Sequence, residues 1–119
     1  MGTYRIDRPI DRARLQEIAN ERFGDMVKGV VDIEQQLLVL GQELHIDGAT
    51  ELQENATSKG EHLWGINLYP ATHGEDFIEF DSVINLKPAL GNRSRGIEDA
   101  SVRERIIALV KEKITDSGL

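Results

Sequence analysis

The chain has 119 residues, 39% of them hydrophobic and 29% charged, with a net charge of -7 and no cysteine. That length suits a single domain, residues 1–119, around one core. The missing thiols exclude disulfides, thiolate zinc sites, iron–sulfur clusters and cysteine nucleophiles, and no apolar run approaches the ~18 residues of a membrane span. The N-terminal residues do not lead into the apolar stretch of a secretion signal, so a cytoplasmic location is expected. The charge is concentrated in residues 29–86, which hold one basic and eleven acidic side chains. Such a balance argues against nucleic-acid binding, which needs Lys and Arg on phosphates.

In chain order, Tyr4-Arg5-Ile6-Asp7 alternates apolar and charged residues before Pro9 and predicts a short edge strand. Asp11 suits a helix N-cap, with Ile10 and Leu15 spaced as a hydrophobic staple. Leu15, Ile18, Ala19 and Phe23 then recur at helical intervals up to Gly24, which predicts a helix over residues 11–23. Residues 27–33 and 37–41 are aliphatic around Glu34-Gln35-Gln36 and read as a hairpin. Its second strand, Leu37-Leu38-Val39-Leu40, is apolar on both sides, as in a strand that is central in its sheet or closed by a partner subunit. Residues 47–55 predict a short helix capped by Asp47, with Ala49 and Leu52 inward, and residues 56–61 a polar loop.

Two further strands follow. Trp64, Ile66 and Leu68 share one side, and so do Ile78, Phe80, Ile84 and Leu86. Pairing Tyr69 with Phe77 sets Leu68 against Ile78, Ile66 against Phe80 and Trp64 against Ser82. The reverse side then sets Asn67 against Glu79 and Gly65 against Asp81. Asp99 caps a last helix carrying Val102, Ile106, Leu109, Val110 and Ile114. The expected fold is a two-layer α+β domain, a mostly antiparallel sheet of four to five strands with two helices packed on one face.

The segments "LWGINLYP" (residues 63–70) and "NRSRGIED" (92–99), with "GQELHID" and the closing helix, resemble a family of short prokaryotic proteins classed as a domain of unknown function. The resemblance spans nearly the whole chain. It implies a single-domain cytoplasmic protein and assigns no catalytic residue.

Two constellations are candidates for ligand binding. Residues 91–96, Gly-Asn-Arg-Ser-Arg-Gly, have the glycine spacing of a phosphate loop but lack the lysine and hydroxyl that must follow it, so nucleotide hydrolysis is set aside. Asn92, Arg93, Ser94 and Arg95 keep the chemistry to hold a small anion such as phosphate or a carboxylate. The reading favoured for the arginines is structural pairing with the acidic middle, with Glu98 and Asp99 competing for the loop amides. The polar side of the second strand pair offers Asn67, Tyr69, Glu79, Asp81 and Asn85, a face that water ordinarily covers.

His45, His62 and His73 lack the spacing of a metal site, and no serine nucleophile signature occurs, so no cofactor, metal or catalytic residue is expected. Six aromatic residues in the chain are too few for base stacking. The function remains unknown at this level. A small interaction module forming a homo-oligomer is favoured over a small-molecule or anion-binding protein or small enzyme.

Overall fold

The alternation between residues 27 and 68 builds the centre of the computed structural model, which describes residues 2–119. Strands β2 (Val27–Asp32), β3 (Leu37–Leu40) and β4 (Leu63–Leu68) are flanked by β1 (Tyr4–Arg5) at one edge and β5 (Ile78–Glu79) at the other. The order is β1-β3-β2-β4-β5, antiparallel throughout. With α1 (Arg12–Asn20), α2 (His45–Asn55) and α3 (Ala100–Lys113) this is the expected α+β fold. No helix among the described residues is long and apolar enough to cross a membrane.

Side-chain parity sorts the strands into two faces. Val31, Leu38, Leu40, Trp64, Ile66 and Leu68 pack under Leu15 and Ile18 of α1 and Ile106 and Val110 of α3. Gly29 belongs to this face because a Cβ there would stand 2.9 Å from Leu40 Cδ2. On the reverse face Val30, Val39 and Leu63 pack with Ala49 and Leu52 of α2. β3 is thus paired on both edges and covered on both sides within one chain. Its two-sided apolar character needs no second subunit, and the premise for expecting one there falls away.

Asp32 sets the β2–β3 turn. Fully buried, its Oδ1 accepts from the Glu34 and Gln35 amides at 2.9 and 3.0 Å, and its Oδ2 from Ser58 Oγ at 2.6 Å. Burial alone would raise its pKa, but the bonds from Ser58, Gln35 and Glu34 outweigh burial and hold it below the usual carboxylate range. Asp11 and Asp99 cap their helices as expected, accepting from the Arg14 and Ser101 amides at 2.8 Å each. α1 ends at Asn20, and left-handed Gly24 closes its C-terminus by donating to the Ala19 carbonyl at 2.7 Å.

Two expectations are corrected. α2 begins at His45, not after an Asp47 cap, and Leu44 at the N-cap supplies no side-chain bond. The buried His45 side chain anchors the first turn to the sheet instead, while Asp47 puts its charge near the helix's positive end. The second correction concerns residues 77–88. The predicted register holds where β5 pairs, Leu68 with Ile78 and Asn67 with Glu79, and Ile66 and Phe80 share the helix-covered face. Beyond Phe80, however, the chain leaves the sheet through a 3-10 turn at Val83–Asn85. Ile84 therefore packs on the reverse face beside Val30 and Leu52, and Leu86 is exposed. The pairings of Trp64 with Ser82 and of Gly65 with Asp81 do not form. A side-chain amide replaces them: Asn85 accepts from Gly65 N at 2.8 Å and donates to the Gly65 carbonyl at 3.0 Å.

A clamp without local sequence signal holds the termini. The Arg12 guanidinium donates to the carbonyls of Asp116, Ser117, Pro70 and Thr72 and lies over the Phe77 ring.

Candidate functional site

The reverse face is apolar under α2 and polar beyond its first turn. Parity places Lys28 of β2 and Asn67 of β4 on that face, directly opposite each other, with Glu79 of β5 beside Asn67. Asn67 is buried, and its Nδ2 donates to Glu79 Oε1 at 2.9 Å and to the Asp81 carbonyl at 3.3 Å. Both partners are acceptors, so the amide oxygen must face the other way. There it meets His45 Nε2 at 3.0 Å, which also lies 2.9 Å from the Ile66 carbonyl. Since both neighbours of Nε2 accept, Nε2 carries the proton and Nδ1 keeps the lone pair. Burial pushes the His45 pKa down, and the charge of Lys28 adds to the effect against the opposing bond to Ile66. The imidazole is therefore neutral at neutral pH.

Tyr69 donates to the same Glu79 oxygen at 2.8 Å. Its phenol is pushed up to about 12, by burial first and then by the Glu79 carboxylate. Arg95 Nε donates to Asp81 Oδ1 at 2.7 Å, so this arginine does pair with the acidic middle of the chain. His45, Asn67, Glu79 and Tyr69 form one hydrogen-bonded chain, with the Asp81–Arg95 ion pair beside it. Among the described residues the second Glu79 oxygen carries no hydrogen bond.

The remaining candidates act elsewhere. Asn85, expected on a wet face, is fully buried and staples Gly65 to the Arg95 carbonyl. Asn92 is buried too, donating to the carbonyls of Asn85 and Gly96 and accepting from the Glu98 amide. The Arg93 amide is held by Glu98 Oε2 at 2.7 Å. With the Arg93, Glu98 and Ser101 amides all bonded to side chains of this segment, the loop has those donors already occupied. The Arg93 and Ser94 side chains are exposed and outside the network. His45 and Lys28 are the site residues that sequence reasoning missed. The signal for His45 was present, an imidazole among the apolar positions of "GQELHID", but only β4 supplies its partners.

A five-stranded antiparallel sheet with a polar network at one end of its open face thus defines a small α+β domain. The chain belongs to the family described as "Protein of unknown function (DUF5674)", whose model matches residues 4–113. No curated protein and no solved structure matches it significantly.

Proposed function

We propose that the protein is a small cytoplasmic interaction module that pairs with a second copy of itself through the reverse face, around the first turn of α2. The observation that carries this reading is a set of large apolar side chains left in water around the network. Leu44 and Ile46 are each 52% exposed, Val83 61% and Phe23 41%. They are linked through the site: Leu44 and Ile46 flank His45, Lys28 lies over the Phe23 ring, and Val83 follows Ser82, which stands against Gly65. Gathered exposed apolar side chains mark interaction surfaces on small domains.

Charge supports a second copy as the partner. Chains of net charge -7 repel one another, so self-pairing favours a region of mixed sign. This face offers Lys28 and Arg95 against Glu79, Asp81 and, near Tyr69, Asp25. An isologous contact meets its own image, so charges of both signs on one face can pair across it. The acidic, cysteine-free composition supports the cytoplasmic setting.

Light scattering after size exclusion tests the reading. Wild type should run as a dimer at micromolar concentration, and a Leu44→Asp, Ile46→Asp double variant as a folded monomer. A wild-type monomer at high micromolar concentration sinks the proposal.

A further inference from the structure

We propose that a second site, at the β5 edge of the helix-covered face, binds an apolar monocarboxylate of the fatty-acid type. The site is a cleft of about 530 Å³ between β5, α3 and the turn at Gly74–Phe77 that leads into β5. A volume of that size suits a small organic ligand. Ile78 is buried in its wall, while Phe80, Ile107 and Leu119 are partly buried and continue the main core to the surface. Leu119 reaches the cleft through a turn at left-handed Gly118, just after the Ser117 carbonyl that Arg12 holds.

Charge defines the other end of the occupant. Arg103 and Glu75 are the charged residues that line the cleft. Glu75 is exposed and screened by water, whereas Arg103 is half-buried and makes no ion pair among the described residues. Asp99, one turn earlier, lies near enough to feel the Arg103 charge, but its Oδ1 is taken by the Ser101 amide and hydroxyl. The guanidinium is fixed from one end, where Nη1 donates to the Ile97 and Glu98 carbonyls. Its Nε and Nη2 carry no hydrogen bond among the described residues. Two neighbouring donors of one guanidinium are the fork that receives a carboxylate through parallel bonds. A held arginine with that edge unused, beside an apolar cleft, selects a ligand with a carboxylate on a hydrocarbon body. General attraction does not supply such binding, because a chain of net charge -7 repels anions.

Amide shifts of the isotope-labelled protein test both the place and the chemistry. Octanoate is titrated alongside octanol and octylamine, which keep the chain and replace the carboxylate by a neutral and a cationic head. Octanoate should give saturable shifts centred on Gly74, Ile78, Ile107 and Gly118, with octanol weaker by about tenfold at the same amides and octylamine no tighter than octanol. Arg103→Gln should bring octanoate down to the level of octanol and leave octanol itself unchanged, a split that a merely loosened cleft would not produce. No saturable shift with octanoate, shifts centred elsewhere, octanol or octylamine equal to octanoate, or undiminished octanoate binding by the folded variant would each overturn the proposal. Should Arg103→Gln not fold, the comparison of the three ligands on wild type decides. The Leu44→Asp, Ile46→Asp variant should bind octanoate as wild type does, which keeps this outcome separate from that of self-pairing.

Discussion

The two faces of the sheet are built by different means. Under α1 and α3, β-strand residues at every second position meet helix residues three and four apart, and nearly everything buried is apolar. On the reverse face a small apolar patch under α2 gives way to side-chain amides, an imidazole and carboxylates bonded to one another and to the backbone. The first arrangement is held by burial, which scales with area and tolerates exchange of shape. The second is held by specific partners, so its cost appears when one partner is removed.

The largest predicted effect tests that contrast within the apolar parts. Leu38, fully buried on the helix-covered face, should cost about 3 kcal/mol as Leu38→Ala. Leu52 of α2 sits in the smaller cluster, with fewer buried apolar neighbours, and Leu52→Ala should cost about 2 kcal/mol. Urea unfolding of both variants measures the difference. Equal losses would mean that the reverse face is packed as rigidly as the other.

Next come the groups that replace strand pairing. Asn85→Ala strands the Gly65 amide and carbonyl and the Arg95 carbonyl, and should cost about 2 kcal/mol. Gly65→Ala places a Cβ 2.5 Å from Ser82 Cβ and should cost a similar amount, about 2 kcal/mol, by overpacking. If either variant unfolds with wild-type midpoint, the segment after Phe80 is not held in the way described.

That segment also marks where the sequence stopped being legible. Alternation alone placed Trp64, Ile66, Leu68, Ile78 and Phe80 on one face, because burial imposes a period of two on any half-covered strand. The same alternation carried on through Ile84 and Leu86 misled, because one amide could satisfy both backbone groups of Gly65 and turn the chain out of the sheet. Caps at Asp11 and Asp99 were readable since their partners lie within three residues. The Arg12 clamp was not, since its acceptors lie far along the chain. Of the candidate site, Asn67, Tyr69, Glu79, Asp81 and Arg95 do come together, because strand register determines which of them are neighbours. Asn85 and Asn92 turned inward for the loop, and His45 entered from a helix whose start was misplaced.

Asp32 gives a smaller effect with a defined pH window. Its folded pKa is depressed, so its contribution is present above the unfolded carboxyl value near ~4 and is lost as pH falls through the lower folded value. Asp32→Asn should lower the melting temperature at neutral pH, and the gap to wild type should close as the solution is acidified. A gap that persists at the acid end would assign the loss to geometry, not to charge.

His45 gives the smallest effect, and the sign is set by its burial. Its folded pKa lies below the ordinary imidazole value, so the unfolded chain takes up a proton first as the pH falls through about 6.5. Stability attributable to His45 is therefore complete above that value and declines below it until the folded imidazole also protonates. His45→Gln keeps a nitrogen that can donate to the Ile66 carbonyl and Asn67 Oδ1 but cannot titrate. Urea midpoints followed from about pH 8 to about pH 5 should fall less steeply in the variant than in wild type. Identical slopes would show that the imidazole senses the same environment folded and unfolded, which a ring wedged between Gly65, Ile66 and Asn67 cannot do. The network on the reverse face would then have to be redrawn without a neutral histidine at its end.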